Sequence, residues 1–486
     1  MEAFNQTERN FPALGMVDVV WDEVRTNVHL AFRTIIPPAE KRIPITLQNG
    51  IIPVLCYVPM ILMAYLARRP DTYLFRVLLL PFTVSAVLVA AYHFTWTQVE
   101  FNVYNWTQCL MAAVTIAKAF EFALTKEGML KIGETYPGSL EDKTKSVDNR
   151  RPTTNGYHKL DKPASTHLRL ADYSPKWLSD AFELLHTNRG LSFKYGQHTY
   201  RPLSKRPLTP RHDFLVATLR DFVYNFLLVD FCESMMKLFP GGIATPLGGS
   251  IFYPSLSPIP RYIVSTTLHM LTGFSLVSGF EMVFDLVTLF AVGAIGDSPS
   301  AWPPVMEKPW LAESMHELWA KRWHQLLRQT FIVYGAYPGK WLFETLTSLF
   351  LAPLAQISAS SNKRSKAISA KIGTLGMLLG TFVASGLFHE LSMMAMNREF
   401  TWLPVVFFAL QGPVLIGERM WRKFTGRKIG GRMGRLWVYF NMFIAAQPMV
   451  DSWHRRGLGG ATVIPPQLSP MRGILIPALR SLVPTA

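Results

Sequence analysis

A histidine followed by a glutamate stands deep in one of the chain's most apolar stretches, Thr381-Phe-Val-Ala-Ser-Gly-Leu-Phe-His-Glu390. A neutral imidazole, with an ordinary pKa of about 6.5, accepts a hydroxyl proton and releases it again near neutral pH. His389 is therefore a candidate general base. Ser385 and Gly386, about one helical turn earlier, leave room for a neighbouring helix or a ligand to come close. The competing reading is a core histidine hydrogen-bonded across a helix interface, and the segment by itself does not decide between them. Metalloprotease chemistry is not supported, because Met393 stands where the second histidine of a His-Glu-x-x-His motif belongs.

A second segment, Ser314-Met-His-Glu-Leu-Trp-Ala-Lys-Arg-Trp-His-Gln-Leu-Leu-Arg328, concentrates cations and indoles. Read as a helix, it places Lys321, His324, Gln325 and Arg328 on one face, at i, i+3, i+4 and i+7. Trp319 and Trp323 then fall on an adjacent face. Cations beside aromatic rings at a membrane edge suit a phosphate-rich, purine-bearing ligand. An interfacial helix with indole anchors and snorkelling arginines has the same composition. Two further pairs share helix faces. Lys118 and Glu121, three apart, read as a structural ion pair. Glu281 and Asp285, four apart and in the same apolar run as His269, form a carboxylate pair of the kind used in proton or cation transport. Cys56, Cys109 and Cys232 lack the paired spacing of a disulfide framework or a zinc site, and there is no phosphate-binding glycine loop.

Such residues need a scaffold, and composition says which kind. Of 486 residues, 49% are hydrophobic and 17% charged, against about 25% charged in ordinary soluble domains. The apolar residues gather into blocks near the roughly 20 residues that cross a bilayer as a helix. The blocks cover about 50–67, 74–92, 106–124, 214–231, 262–295, 330–357, 372–396, 401–418 and 436–450. The fold class expected is all-α, a polytopic transmembrane helical bundle with eight to ten crossings. The block at 330–357 is interrupted by Tyr337-Pro-Gly-Lys340, read as a break. Four regions follow: a polar lead at 1–48 with an amphipathic stretch at 17–32, three spans at 49–124, a long basic loop at 125–213, and a membrane catalytic region at 214–486. The polar, acidic start is not that of a cleavable signal peptide, so the first span is expected to act as the targeting signal.

The formal charge of +16 would suggest nucleic acid in a soluble protein. Here the basic residues lie between apolar blocks, an orientation signal rather than a nucleic-acid surface. The expected partners are the lipid bilayer and a phosphate-bearing co-substrate. Arg68/Arg69, the 125–213 loop, 361–371 and 419–435 are the basic clusters, and the positive-inside rule assigns them to the cytosol. The 296–329 segment joins them, provided the break near 338 makes a half-span. The sequons at Asn5-Gln-Thr7 and Asn105-Trp-Thr107 are then lumenal.

Taken together, Leu318-Trp-Ala-Lys-Arg-Trp-His324 and, about 65 residues on, Ser385-Gly-Leu-Phe-His-Glu390 resemble the membrane-bound O-acyltransferase superfamily, and most of all its wax synthase-like branch. The resemblance is concentrated over about 300–420. It implies transfer of an acyl group from acyl-CoA to a hydroxyl, with no bound cofactor, in the endoplasmic reticulum membrane. His389 matches the family's general base and His324 its second polar residue, often Asn. Arg322, Trp323, Gln325 and Arg328 are the expected contacts for acyl-CoA. Sequences of this length also resemble fungal acetyltransferases of terpenoid and meroterpenoid alcohols, so acetyl-CoA and an apolar alcohol are the expected substrates. Long-chain transfer to fatty alcohol, sterol or diacylglycerol is the alternative, and a membrane transporter using Glu281 and Asp285 a more distant one.

Overall fold

Within a bilayer a backbone must satisfy its own hydrogen bonds, so the apolar blocks fold as helices. The computed structural model describes residues 12–139, 175–396 and 399–482. The sequon at Asn5 and the centre of the basic loop, 140–174, lie outside the described residues. Among those described, the only sheet is a two-residue parallel pairing of Ile43–Pro44 with Phe94–Thr95. The helices that matter below are α1 (Pro12–Ile35), α2 (Ile51–Ala67), α3 (Tyr73–Tyr92), α4 (Val99–Leu124), α5 (Lys176–His186), α6 (Arg211–Met236), α7 (Pro258–Ile295), α8 (328–355), α9 (Ala359–Met394), α10 (Leu403–Thr425), α11 (Gly431–Phe440) and α12 (Gln447–Arg455). Five of them, α3, α4, α7, α9 and α10, are long and apolar enough to cross a membrane. The chain is thus an all-α, multi-pass membrane protein. Fewer helices than the expected eight to ten meet that criterion. Helix α2 is apolar but short, and α6 carries Arg220, Asp221, Asp230 and Glu233 along its length.

Helices α8 and α9 form the closest contact in the bundle, and small residues make it possible. A Cβ on Gly335 would fall on the Gly380 carbonyl, and one on Gly339 on the Gly376 carbonyl. Two Gly-x-x-x-Gly stripes therefore meet backbone to backbone, the device that membrane helices use where no hydrophobic drive separates them from lipid. The expected break at Pro338-Gly339 does not occur. A π-helical turn at Ile332–Ala336, closed by Tyr337 N–H on the Ile332 carbonyl, precedes the proline. The wider turn shifts the hydrogen-bond register where Pro338 lacks a donor, and the helix continues.

Helix α10 runs antiparallel to α9, with Gly386 against the Val405 backbone and Gly412 against Leu379. Polar contacts define the two ends of the bundle. At one end Arg189 donates to the Pro303 and Pro304 carbonyls, and Tyr200 to Glu307. There too Glu418 accepts from Met315 and His316 N–H, and Glu313 pairs with Arg435. The described halves of the 125–213 loop thus share an end with the 296–322 segment and the α10–α11 loop. At the opposite end Asn102 donates to the Met396 carbonyl and Arg42 to that of Ala395.

Arg68, of the first basic cluster, is buried and bound by both of its terminal nitrogens to Glu134, at 2.7 and 2.9 Å. One expectation about charges is corrected. Lys118 and Glu121 do not pair with each other. Lys118 donates to the Leu185 carbonyl, and Glu121 accepts from Gln329 at 2.5 Å. Sequence spacing put them on one face, but tertiary partners lay closer than either was to the other. The sequon residue Asn105 is buried, with its amide bonded to the Trp96 backbone.

Candidate active site

The α8–α9–α10 packing decides where His389 points. Gly386 lets α10 approach, and Phe408 of α10 stacks on the imidazole at 4.7 Å with an interplanar angle of 15°. Trp453 of α12 approaches from another side, at 6.1 Å. The His389 Nδ1 is enclosed without a hydrogen-bond partner. A core histidine bonded across an interface would have such a partner; among the described residues the His389 Nδ1 has none.

His324 arrives by a different route. The chain enters through a short turn at Met315–Glu317, capped by the Ser314 hydroxyl, and a π-helical turn at Leu318–Arg322. Residues 323–327 are not helical, and α8 starts at Arg328. The segment therefore dips into the bundle beside Phe382 and Leu415 and returns along α9. The single helical face expected for Lys321, His324, Gln325 and Arg328 is not formed. The helix stops because Gln325 takes over its end: its side-chain amide donates to the carbonyls of Trp319 and Trp323, 3.0 Å each. His324 is buried against Phe280, at 4.5 Å, and Trp323, at 5.2 Å. Burial, with His389 nearby, pushes its imidazole down to about 3, so it is uncharged at neutral pH.

Both histidines line one cavity of about 2990 Å³, which also receives Trp319, Trp323, Gln325, Arg328 and Ser385. It reaches Arg201 and Asn188 of the basic-loop end and Leu458 and Val463 near the other. Met111, Val283 and Phe290 line it and are exposed on the helices' outer faces, so apolar surface leads into it from the side.

The other expected contacts divide. Arg328 lines the cavity, half-buried, with no side-chain hydrogen bond or ion pair among the described residues. Arg322 is committed elsewhere, to Glu317 at 2.7 Å and the Glu307 carbonyl at 3.1 Å. Glu281 and Asp285 are outside the cavity lining. Asp285 pairs with Arg206 at 2.9 Å, and Glu281 accepts from Met306 N–H; both fasten loops to α7. Sequence reasoning missed Trp453 and Arg456. Arg456 binds Glu390 through two contacts, 3.0 and 2.9 Å, and so ties α12 to the end of α9 just beyond His389. No local pattern announces a pair separated by 66 residues.

Residues 302–410 match the membrane bound O-acyl transferase family. The matched region begins just before the dipping segment and ends just beyond Phe408, so it contains both histidines and the ring stacked on one of them. It supports an acyltransferase of that family, working in a membrane on acyl-CoA and lipid-like acceptors. No curated protein matches the chain.

Proposed function

We propose that this chain acetylates a hydroxyl of an apolar terpenoid or meroterpenoid alcohol, with acetyl-CoA as donor, in fungal secondary metabolism at the endoplasmic reticulum. The observation that carries the reading is the meeting of His389 and His324 in one largely apolar cavity that leads both to the basic-loop end and to the lateral apolar surface. An anionic donor enters from the first and an apolar acceptor from the second. The basic clusters gathered at one end support a cytosolic orientation for it, which is where CoA resides.

The chemistry asks little beyond positioning. A thioester is already activated, so hydroxyl and carbonyl must be held together, one proton removed and one oxyanion stabilised. His389 takes the hydroxyl proton as the oxygen attacks the thioester carbonyl. The tetrahedral intermediate collapses with cleavage of the carbon–sulfur bond. The proton passes from His389 to the departing thiolate, giving ester and free CoA. His324, neutral and buried, donates a hydrogen bond to the oxyanion. Arg328 and Trp323 face the donor, while Gln325 and Arg322 hold the loop that presents them. Membranes containing the protein, given acetyl-CoA and a terpenoid alcohol, should yield an acetyl ester by mass spectrometry. Ester formed from long-chain acyl-CoA in preference, when both donors compete, would replace acetyl transfer with the long-chain alternative. Absence of any ester or released CoA would refute acyl transfer.

A further inference from the structure

A third histidine has the character of the other two and no part in the reaction. His269, on α7, is buried, lines the same cavity, and forms no hydrogen bond among the described residues. Thr272 follows three residues later on the same face and also lines the cavity. Its hydroxyl lies 2.8 Å from the Leu268 carbonyl and 2.7 Å from His454 Nε2. The hydroxyl has one proton. Given to the carbonyl, it leaves Oγ1 to accept from the imidazole, so His454 is the donor in that pair. His454 is further fixed by its loop. Gly459 packs against its ring, and Gly457, at φ +92°, makes the turn that brings the loop back. The Thr272 hydroxyl and His454 Nε2 thus satisfy each other; His454 Nδ1 has no partner among the described residues but is covered by Gly459, and His269 is the histidine of this group left for a ligand.

The placement is as informative as the chemistry. Helix α12 presents Trp453 to His389 and, one residue on, His454 to Thr272. Neighbouring residues of α12 thus touch the two sites, which lie apart along the same cavity. A buried polar group without a partner is costly, and an alkyl chain beside His269 would leave it so.

We propose that His269, set in place beside the Thr272–His454 pair, is a second polar subsite that hydrogen-bonds an oxygen of the acceptor, a hydroxyl or a carbonyl, at a point of the cavity away from the hydroxyl that is acylated. This rests on the cavity being the acyl-transfer site. It selects a polyoxygenated apolar acceptor over a straight-chain mono-alcohol, and so bears on which acceptor class the enzyme serves.

The test uses membranes containing the full chain, acetyl-CoA, 1-dodecanol, and a series of keto-dodecanols with the carbonyl at successive carbons. The flexible chain lets the carbonyl find its own depth. The parent should favour one carbonyl position over 1-dodecanol by about tenfold in kcat/KM, the factor that one buried hydrogen bond gives. In His269→Phe that ratio should fall to about one. His269→Asn, which keeps a donor, should hold a ratio above that of the phenylalanine variant, and it serves in its place if His269→Phe does not fold. Transfer by the parent without preference for any carbonyl position overturns the subsite alone, as does a preference that survives His269→Phe. No transfer to any of these alcohols, in membranes that do acetylate a terpenoid alcohol, overturns the subsite alone; no transfer to the terpenoid alcohol either, with the protein folded, removes the acyl-transfer reading and the subsite with it.

Discussion

Glu390→Ala perturbs the ground on which His389 stands. Glu390 is wholly enclosed and Arg456 nearly so. The two are joined in a parallel, two-contact arrangement at 3.0 and 2.9 Å, and Thr401 N–H donates to the same carboxylate at 2.6 Å. Removing the carboxylate leaves a buried guanidinium uncompensated, which costs about 3–5 kcal/mol. The Thr401 amide loses its acceptor as well, for a further ~1 kcal/mol. Together these approach the whole net stability of many domains, about 5–15 kcal/mol. The detergent-purified variant should therefore melt well below the parent in a thermal-shift assay. Glu390→Gln, which keeps an oxygen for Thr401 but loses the charge, should fall between. Replacing both partners, as Glu390→Met with Arg456→Met, should recover most of the loss, because no unpaired charge remains. A Glu390→Ala protein that melts with the parent would refute the reasoning, and so would a double variant that loses the sum of its two single losses.

Three further outcomes follow from the packing and the charges. Gly335→Leu or Gly380→Leu should prevent the backbone contact of α8 with α9 and abolish monodisperse folded protein on size exclusion, whereas Gly417→Leu, where a Cβ meets nothing within 4 Å, should leave the profile unchanged. Arg328→Ala should raise the KM for acyl-CoA more than that for the alcohol, by up to the ~1.5–3 kcal/mol of a charge-assisted contact; Arg322→Ala should instead lower the melting temperature, since its partners are Glu317 and Glu307. Stability should fall as pH drops below about 6.5, because the unfolded imidazole takes up a proton there that folded His324 refuses until about 3; His324→Asn should make that fall shallower between pH 7 and 5, the other buried histidines keeping part of it, and an equally steep profile in that variant would contradict it.

How much of this was legible in the sequence depends on the range of the interaction. The long apolar helices were, since the bilayer imposes a length and a composition on each segment independently. The place of His389 on the cavity was also legible, because a polar residue in such a segment needs a reason. The dipping segment was only half legible. Its residues follow helical spacing through Arg328, but the Gln325 amide captures the Trp319 and Trp323 carbonyls and ends the helix at Arg322. Periodicity carries no mark of that capture. Pro338 misled in the opposite direction: a π-turn placed just before it removes the penalty on which the expected break relied. Lys118, Glu121, Asp285 and Arg456 all find partners far along the chain. Only the fold brings those partners near, so face-sharing within one helix named the wrong ones or none.

The central claim is that His389 is the base for acyl transfer, and the rate of His389→Ala tests it most directly. The measurement is the initial rate of labelled ester formation from acyl-CoA and alcohol, in membranes matched for folded protein by size exclusion. General-base catalysis contributes about 10²–10⁴-fold, so the variant should lose activity by that factor while remaining folded in the membrane, as the Nδ1 makes no hydrogen bond to lose. Turnover above about a tenth of the parent rate would contradict the account.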